Sequence, residues 1–231
     1  MTLPTSDDKL SDFLQQVRDR QLATFENIKP AFNMLRDVDE CFARVIENVE
    51  KPKVNPLPVL FLYRSHAAYR AACGTSMAGQ SPETFVLLRS CLEYSGYALL
   101  IHQNPTLDMV WVRRHKSDDA LRAMKKQFTY TNVEKAVQST DAGLGSWYSE
   151  LYERAIDFGA HPNAKGVTLS MSWDEGIIYL DEDALALHHC LDSTARTGLC
   201  SLYVFQYVLS ERFISLGIGK KLHELRQREH L

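Results

Sequence analysis

Residues 81–105 read SPETFVLLRSCLEYSGYALLIHQNP, and the fold class follows from this stretch. Ser81-Pro82-Glu83 has the chemistry of a helix start. It offers a hydroxyl that can cap the first turn, a proline whose φ is already helical, and an acid against the positive end of the dipole. Asn104-Pro105 is a stop, because proline has no N–H and pushes the residue before it out of the helical region. The helix predicted from 82 to about 103 is apolar around nearly its whole circumference. A helix with one apolar stripe can lie on a surface, whereas one that is apolar all round must be surrounded.

The neighbouring stretches supply helices to surround it. Upstream, residues 57–77 are strongly apolar at helical spacing, and 51–58, with prolines at 52, 56 and 58, form a connector. Residues 1–50 form a long N-terminal helical region. There Phe25, Ile28, Phe32, Leu35, Phe42 and Ile46 keep an apolar seam that Asp39 interrupts, and Pro30 demands a kink at 27–29 or a helix restart. Downstream, helices are predicted over 106–116, 118–139 and 146–158, the last following a break at Gly143-Leu144-Gly145 and ending at Gly159 and Pro162. The period then changes. Residues 167–171 and 177–180 flank Trp173-Asp174-Glu175-Gly176 and predict a β-hairpin near 167–180. A final long helix to about 216 and a polar tail over 217–231 complete the chain. The expectation is one all-α domain, residues 1–231, built as a bundle of six or seven helices with a single hairpin insertion, residues 57–216 forming its main part.

Composition narrows the function classes. The chain has 231 residues, with 45% hydrophobic and 24% charged residues and a net charge of -3, so disordered, collagen-like and disulfide-scaffold proteins are excluded. Met1 is followed by Asp7 and Asp8 rather than by a basic start and an apolar run, so no signal peptide is expected. Five scattered cysteines without a CxxC read as buried thiols in a reducing cytoplasm, with no secreted partner. The most apolar stretch, 85–101, contains Arg89 and Glu93 and is short for a bilayer, so no membrane is implied. Charge is uneven: residues 51–139 carry twelve bases against six acids, while 1–50 carry six against ten. Within the basic part, Arg113, Arg114, Lys116, Arg122, Lys125 and Lys126 stand near Trp111, Phe128 and Tyr130. The expected reading is that Trp111 and Phe128 are core and the cations a solvated face.

Two constellations carry chemistry. Arg89 and Glu93 are four apart on the central helix, which puts both on one stripe. The pair either fixes helix register or, with Arg64, His66 and Arg70 from the preceding helix, forms an enclosed anion site. Arg154 and His161 are seven apart, close to two helical turns, so they share a face beside Asp157 and before Asn163 if the helix continues through Phe158-Gly159-Ala160. A guanidinium beside an imidazole that titrates near neutrality suits phosphoryl transfer, with His161 moving the proton and Arg154 stabilising the phosphoryl charge. The bland alternative is a histidine on the helix dipole.

The Arg154-x6-His161 pattern near a helix end resembles the Arg-x(4-6)-His motif of the HEPN superfamily, small helical proteins that often act as ribonucleases in toxin and phage-defence systems. The Arg89-Ser90-Cys91-Leu92-Glu93 helix is similar to one in uncharacterised bacterial helical proteins. The resemblance implies that Arg154 and His161 are catalytic, that RNA is the substrate, and that a homodimer juxtaposes two such motifs. It also marks a departure, since the residue after the motif arginine is commonly polar in active members and is Ala155 here. No cofactor or metal is expected. Gly217-Ile218-Gly219-Lys220 follows a helix and lacks phosphate-loop spacing, and His188 and Asp192, four apart, have no further ligands. A non-enzymatic interaction protein and a small-ligand-binding bundle are the alternatives.

Overall fold

The computed structural model describes residues 8–49, 56–161, 171–172, 176–177, 180 and 184–228. In chain order its helices are α1 (Lys9–Asn27), α2 (Lys29–Asn48), α3 (Leu57–Met77), α4 (Ser81–Gln103), α5 (Leu107–Val112) and α6 (Asp118–Gln127). These are followed by α7 (Tyr130–Thr140), α8 (Ala142–Ala155), a π-helical turn (Ile156–Ala160), α9 (Ala184–Val208), α10 (Ser210–Ser215) and α11 (Ile218–Arg226). The all-α class holds. The described chain has more helices than the six or seven expected, because several long predicted helices break.

Each break has a local cause. Ile28 leaves the helical region (φ -121°, ψ 51°) and Pro30 enters the first turn of α2, so Pro30 marks a restart rather than a kink. The predicted helix over 118–139 is two helices. The side chain of Thr129 caps α7 by accepting from the Asn132 N–H at 3.2 Å, while Phe128 is drawn into the core. Gly143 and Gly145 lie inside α8 instead of breaking the chain there, since Asp141 caps the helix one turn earlier, accepting from the Leu144 N–H at 2.8 Å. At Gly145 a Cβ would stand 2.7 Å from Gln138 Cα, so glycine there permits the close approach of α7 and α8. The final helix ends at Val208, since Leu209 turns out of it (φ -125°, ψ 38°). Gly217 (φ 64°) then separates α10 from α11. The 217–231 stretch is also more than a polar tail, because Ile218, Leu222 and Leu225 are fully buried in the core.

Helix α4 runs through the centre against α3, α9, α7, α8 and the π turn. Ser81 is its first residue and not its cap, which is Gln80. Of the hairpin expected over 167–180, the described residues show Met171–Ser172 paired antiparallel with Gly176–Ile177 and Leu180 buried in a bend; the rest lies outside them. The connector over 51–58 falls largely outside them too. Phe128 is core, as expected, and Trp111 packs against it at 5.1 Å. Among the described residues no helix is long and apolar enough to cross a membrane.

Candidate functional site

The chemistry gathers where α8 ends against the N-terminal half of α4 and the first turns of α9. Helix α8 does not continue to His161. It widens into the π turn 156–160, a form often found at functional sites. Gly159 then adopts φ 148°, a value that strongly favours glycine. A Cβ at Gly159 would lie 2.6 Å from the Pro82 carbonyl oxygen, so the turn is pressed directly onto the start of α4. Beside it Phe158 stacks on Phe85 at 5.2 Å, and Ala155, Leu88 and Ala72 are buried with Phe85. This packing accounts for Ala155, since the position faces a closed apolar cluster.

Arg154 points from the last turn of α8 toward α9. Its Nη2 donates to Glu150 Oε1 at 2.8 Å, and its Nη1 donates to the Ser193 hydroxyl at 3.4 Å. Arg196 reaches the same Glu150 oxygen at 3.4 Å and lies 3.9 Å from Asp192 Oδ2. Two guanidiniums thus converge on one carboxylate oxygen. His189 stands next to them with its ring 5.2 Å from that of Phe158. Burial, helped by the Arg154 charge, holds the His189 imidazole below its ordinary pKa. Burial pushes the Asp192 carboxyl up against the opposing pull of Arg196 and Arg154. The arrangement combines fixed positive charge with an imidazole of lowered pKa and a carboxyl of raised pKa, groups that can bind an anion and exchange a proton.

The other expected site residues are placed as follows. His161 follows the π turn in extended conformation and is exposed, so the helical pitch that would have set it two turns above Arg154 does not apply. Asp157 is half-buried within the turn, and Asn163 lies outside the described residues. Arg89 Nε donates to Glu93 Oε1 at 2.9 Å, its guanidinium lies 5.3 Å over the Tyr152 ring, and its Nη1 reaches the Ala160 carbonyl at 3.4 Å. The Tyr152 hydroxyl also donates to Glu93 at 3.0 Å, and burial, with the Glu93 charge, pushes that phenol up to about 12. Arg89 and Glu93 therefore belong to the α4–α8 side. Arg70 turns the other way, forking onto Asp39 of α2 at 2.7 and 2.9 Å with His66 on the same carboxylate. Arg64 is exposed and lies 5.7 Å over the Tyr94 ring. The expected enclosed site thus divides. A groove of about 190 Å³ beside Asp39 has Arg70, Arg36, Phe32 and Met77 on its walls but none of Arg64, Arg89 and Glu93.

Sequence reasoning missed Glu150, His189, Ser193 and Arg196. The signal was present: 189, 192, 193 and 196 are spaced i, i+3, i+4, i+7 and share one face of α9. His188, paired with Asp192 in the metal reading, is exposed instead, and Asp192 faces Arg196. Among the described residues no three His, Cys, Asp or Glu side chains gather as a metal site would require. No protein family, curated protein or solved structure matches this chain.

Proposed function

We propose that this chain is an RNA-cleaving or RNA-binding helical protein of the HEPN-like toxin or defence type, acting as a homodimer in the cytoplasm. Arg154 binds the phosphate and His161 moves the proton. In the reaction the 2′-oxygen loses its proton and bonds to phosphorus while the bond from phosphorus to the 5′-oxygen breaks, and that oxygen takes up a proton. Arg154 and Arg196 offset the charge that builds on the phosphoryl oxygens. The observation that carries this reading is the convergence of the Arg154 and Arg196 guanidiniums on Glu150, beside His189, with Arg154 seven residues before an exposed His161. A reducing compartment accords with five free cysteines, of which burial pushes Cys41 up to about 11 and Cys73 up to about 12.

A second reading, a non-enzymatic interaction protein, is favoured by α1. That helix exposes Leu10 (66%), Leu14 (47%) and Leu22 (54%), and its only buried residue is Thr24. Cleavage of labelled RNA by the wild type and by His161→Ala and Arg154→Ala, each checked for folding by circular dichroism, decides between them. The expected result is cutting by the wild type and a loss of roughly a hundredfold or more in each variant. Equal inactivity of all three over a broad RNA panel overturns the ribonuclease reading and leaves the interaction reading.

A further inference from the structure

The cations of α6 and of the turn between α5 and α6 take no part in the site above. Arg36, Arg70, Arg89, Arg154 and Arg196 each meet a carboxylate. Arg113, Lys116, Lys125, Lys126 and Lys135 are exposed and meet none among the described residues. Arg122 is paired locally with Asp119 at 2.6 Å. On a chain of slightly acidic net charge, residues 113–127 therefore carry six bases against two acids, a local excess of positive charge suited to a polyanion.

Two half-buried aromatic rings, Trp111 and Tyr130, border these cations. Trp111 packs against Phe128 at 5.1 Å and Tyr97 at 5.4 Å, which pins α5 to the end of α6. The Arg114 guanidinium lies 4.4 Å over the Trp111 ring. Asn132 Nδ2 donates to the carbonyls of Lys126 and Gln127, fixing the corner from α6 into α7. Half-buried Tyr130 then stacks at 4.2 Å on Tyr152, over which Arg89 lies, and Arg89 reaches Ala160, the residue before His161. A line of contacts thus joins the cationic helices to the turn that presents His161.

Cations interleaved with rings suit a single strand, whose phosphates take the charges and whose bases stack on aromatic and guanidinium planes. A lipid surface fits less well. The exposed apolar residues of α5 are Met109 and Val112, and the exposed carboxylates Asp118 and Asp119 sit among the cations. We infer that the α5–α6 surface, continued by Lys135 and Tyr130 of α7, is a docking track for single-stranded RNA, separate from the Arg154 cluster. That the strand runs on toward His161 rests on the proposed function; the binding itself does not.

The test uses fluorescence anisotropy with a labelled 2′-O-methyl oligoribonucleotide of about 20 nucleotides, which cannot be cut through its 2′-oxygen. The full chain is compared with the fourfold variant Arg113→Glu, Lys116→Glu, Lys125→Glu, Lys126→Glu. The fourfold variant is expected to lose roughly thirtyfold or more in affinity at low salt. Its slope of log affinity against log salt should fall by about 3, close to 0.7 for each phosphate contact removed. If the fourfold variant misfolds by circular dichroism, the pairs Arg113→Glu/Lys116→Glu and Lys125→Glu/Lys126→Glu are each expected to show about half of that slope change. Lys220→Glu, which alters an exposed cation on α11 away from this surface, is expected to bind as the wild type does. Unchanged affinity in the folded charge variants overturns the inference, as does a wild type that ignores the oligonucleotide but binds phosphatidylserine vesicles. A wild type that binds through these residues yet cleaves no RNA leaves the docking track standing and defeats the ribonuclease reading. Cleavage with unaltered KM in the fourfold variant does the reverse.

Discussion

Asp39 joins two helices through one carboxylate. Its Oδ1 lies 2.6 Å from His66 Nε2 and accepts from Arg70 Nε at 2.7 Å, while Phe42 stacks on the His66 ring at 5.1 Å. Burial by itself would raise the Asp39 pKa. The hydrogen bonds from His66 and Arg70 outweigh it and hold the carboxyl well below the usual carboxylate range. A carboxylate whose folded pKa lies below its unfolded value of about 3.9 contributes its full stability above that pH, and the contribution is lost as pH falls through the folded pKa. Asp39→Asn is therefore expected to cost about 1–3 kcal/mol at pH 7 and to lose less than the wild type between about pH 4 and pH 2. Urea unfolding at both ends of that range checks it, and an equal fall in both proteins would contradict it. In the sequence Asp39 was visible only as an interruption of an apolar seam. Its partners lie 27 and 31 residues away, and no local pattern reports such a contact.

At the scale of single elements, helix ends were legible wherever a short-range rule sets them. Asn104 ends α4, Ser117 caps α6 by accepting from the Ala120 N–H, and Pro30 stands in the first turn of α2. The misreadings came where composition masked spacing. In α11 the visible residues are Lys220, Lys221, His223 and Glu224, yet Ile218, Leu222 and Leu225 form a stripe that packs against α2 and α9. Asp37 reinforces this docking, with Lys221 at 3.6 Å and Arg228 at 3.5 Å. Leu222→Ala should destabilise the fold by about 2–5 kcal/mol, as for a fully buried leucine, whereas a dangling tail would give almost no change. Thermal unfolding distinguishes the two. The π turn belongs to this scale as well: Gly159 and Pro162 were read as a helix end, but the widened turn and its pressure on Pro82 depend on where α4 lies.

For the molecule as a whole, stability should be graded outward from α4. Twelve of its 23 residues are buried, whereas α6 has none and α1 has only Thr24. Amides in the middle of α4 can exchange only through an opening that releases most of the core, while those of α6 can exchange by local fraying. Native-state hydrogen exchange is expected to show α4 slower than α6 by on the order of a hundredfold or more. Similar rates in both helices would mean that the core does not centre on α4. The same grading places the proposed docking track on elements that a ligand can order at little cost to the core.

The all-α class and the central position of α4 were determined by the sequence alone, because the apolar circumference and the punctuation of residues 81–105 are properties of consecutive residues. So was the Arg89–Glu93 pair, since helical pitch sets an i, i+4 contact without reference to the rest of the chain. Only the tertiary structure decided what surrounds Arg154. Glu150 is its own helical neighbour, but Ser193, 39 residues away, and with it Arg196 and His189 reach it because α8 and α9 pack side by side. It also decided that Arg70 and Arg89 serve different faces. Side-chain direction on one helix follows from spacing, whereas the partner it meets follows from how helices cross, which is set by the whole core at once.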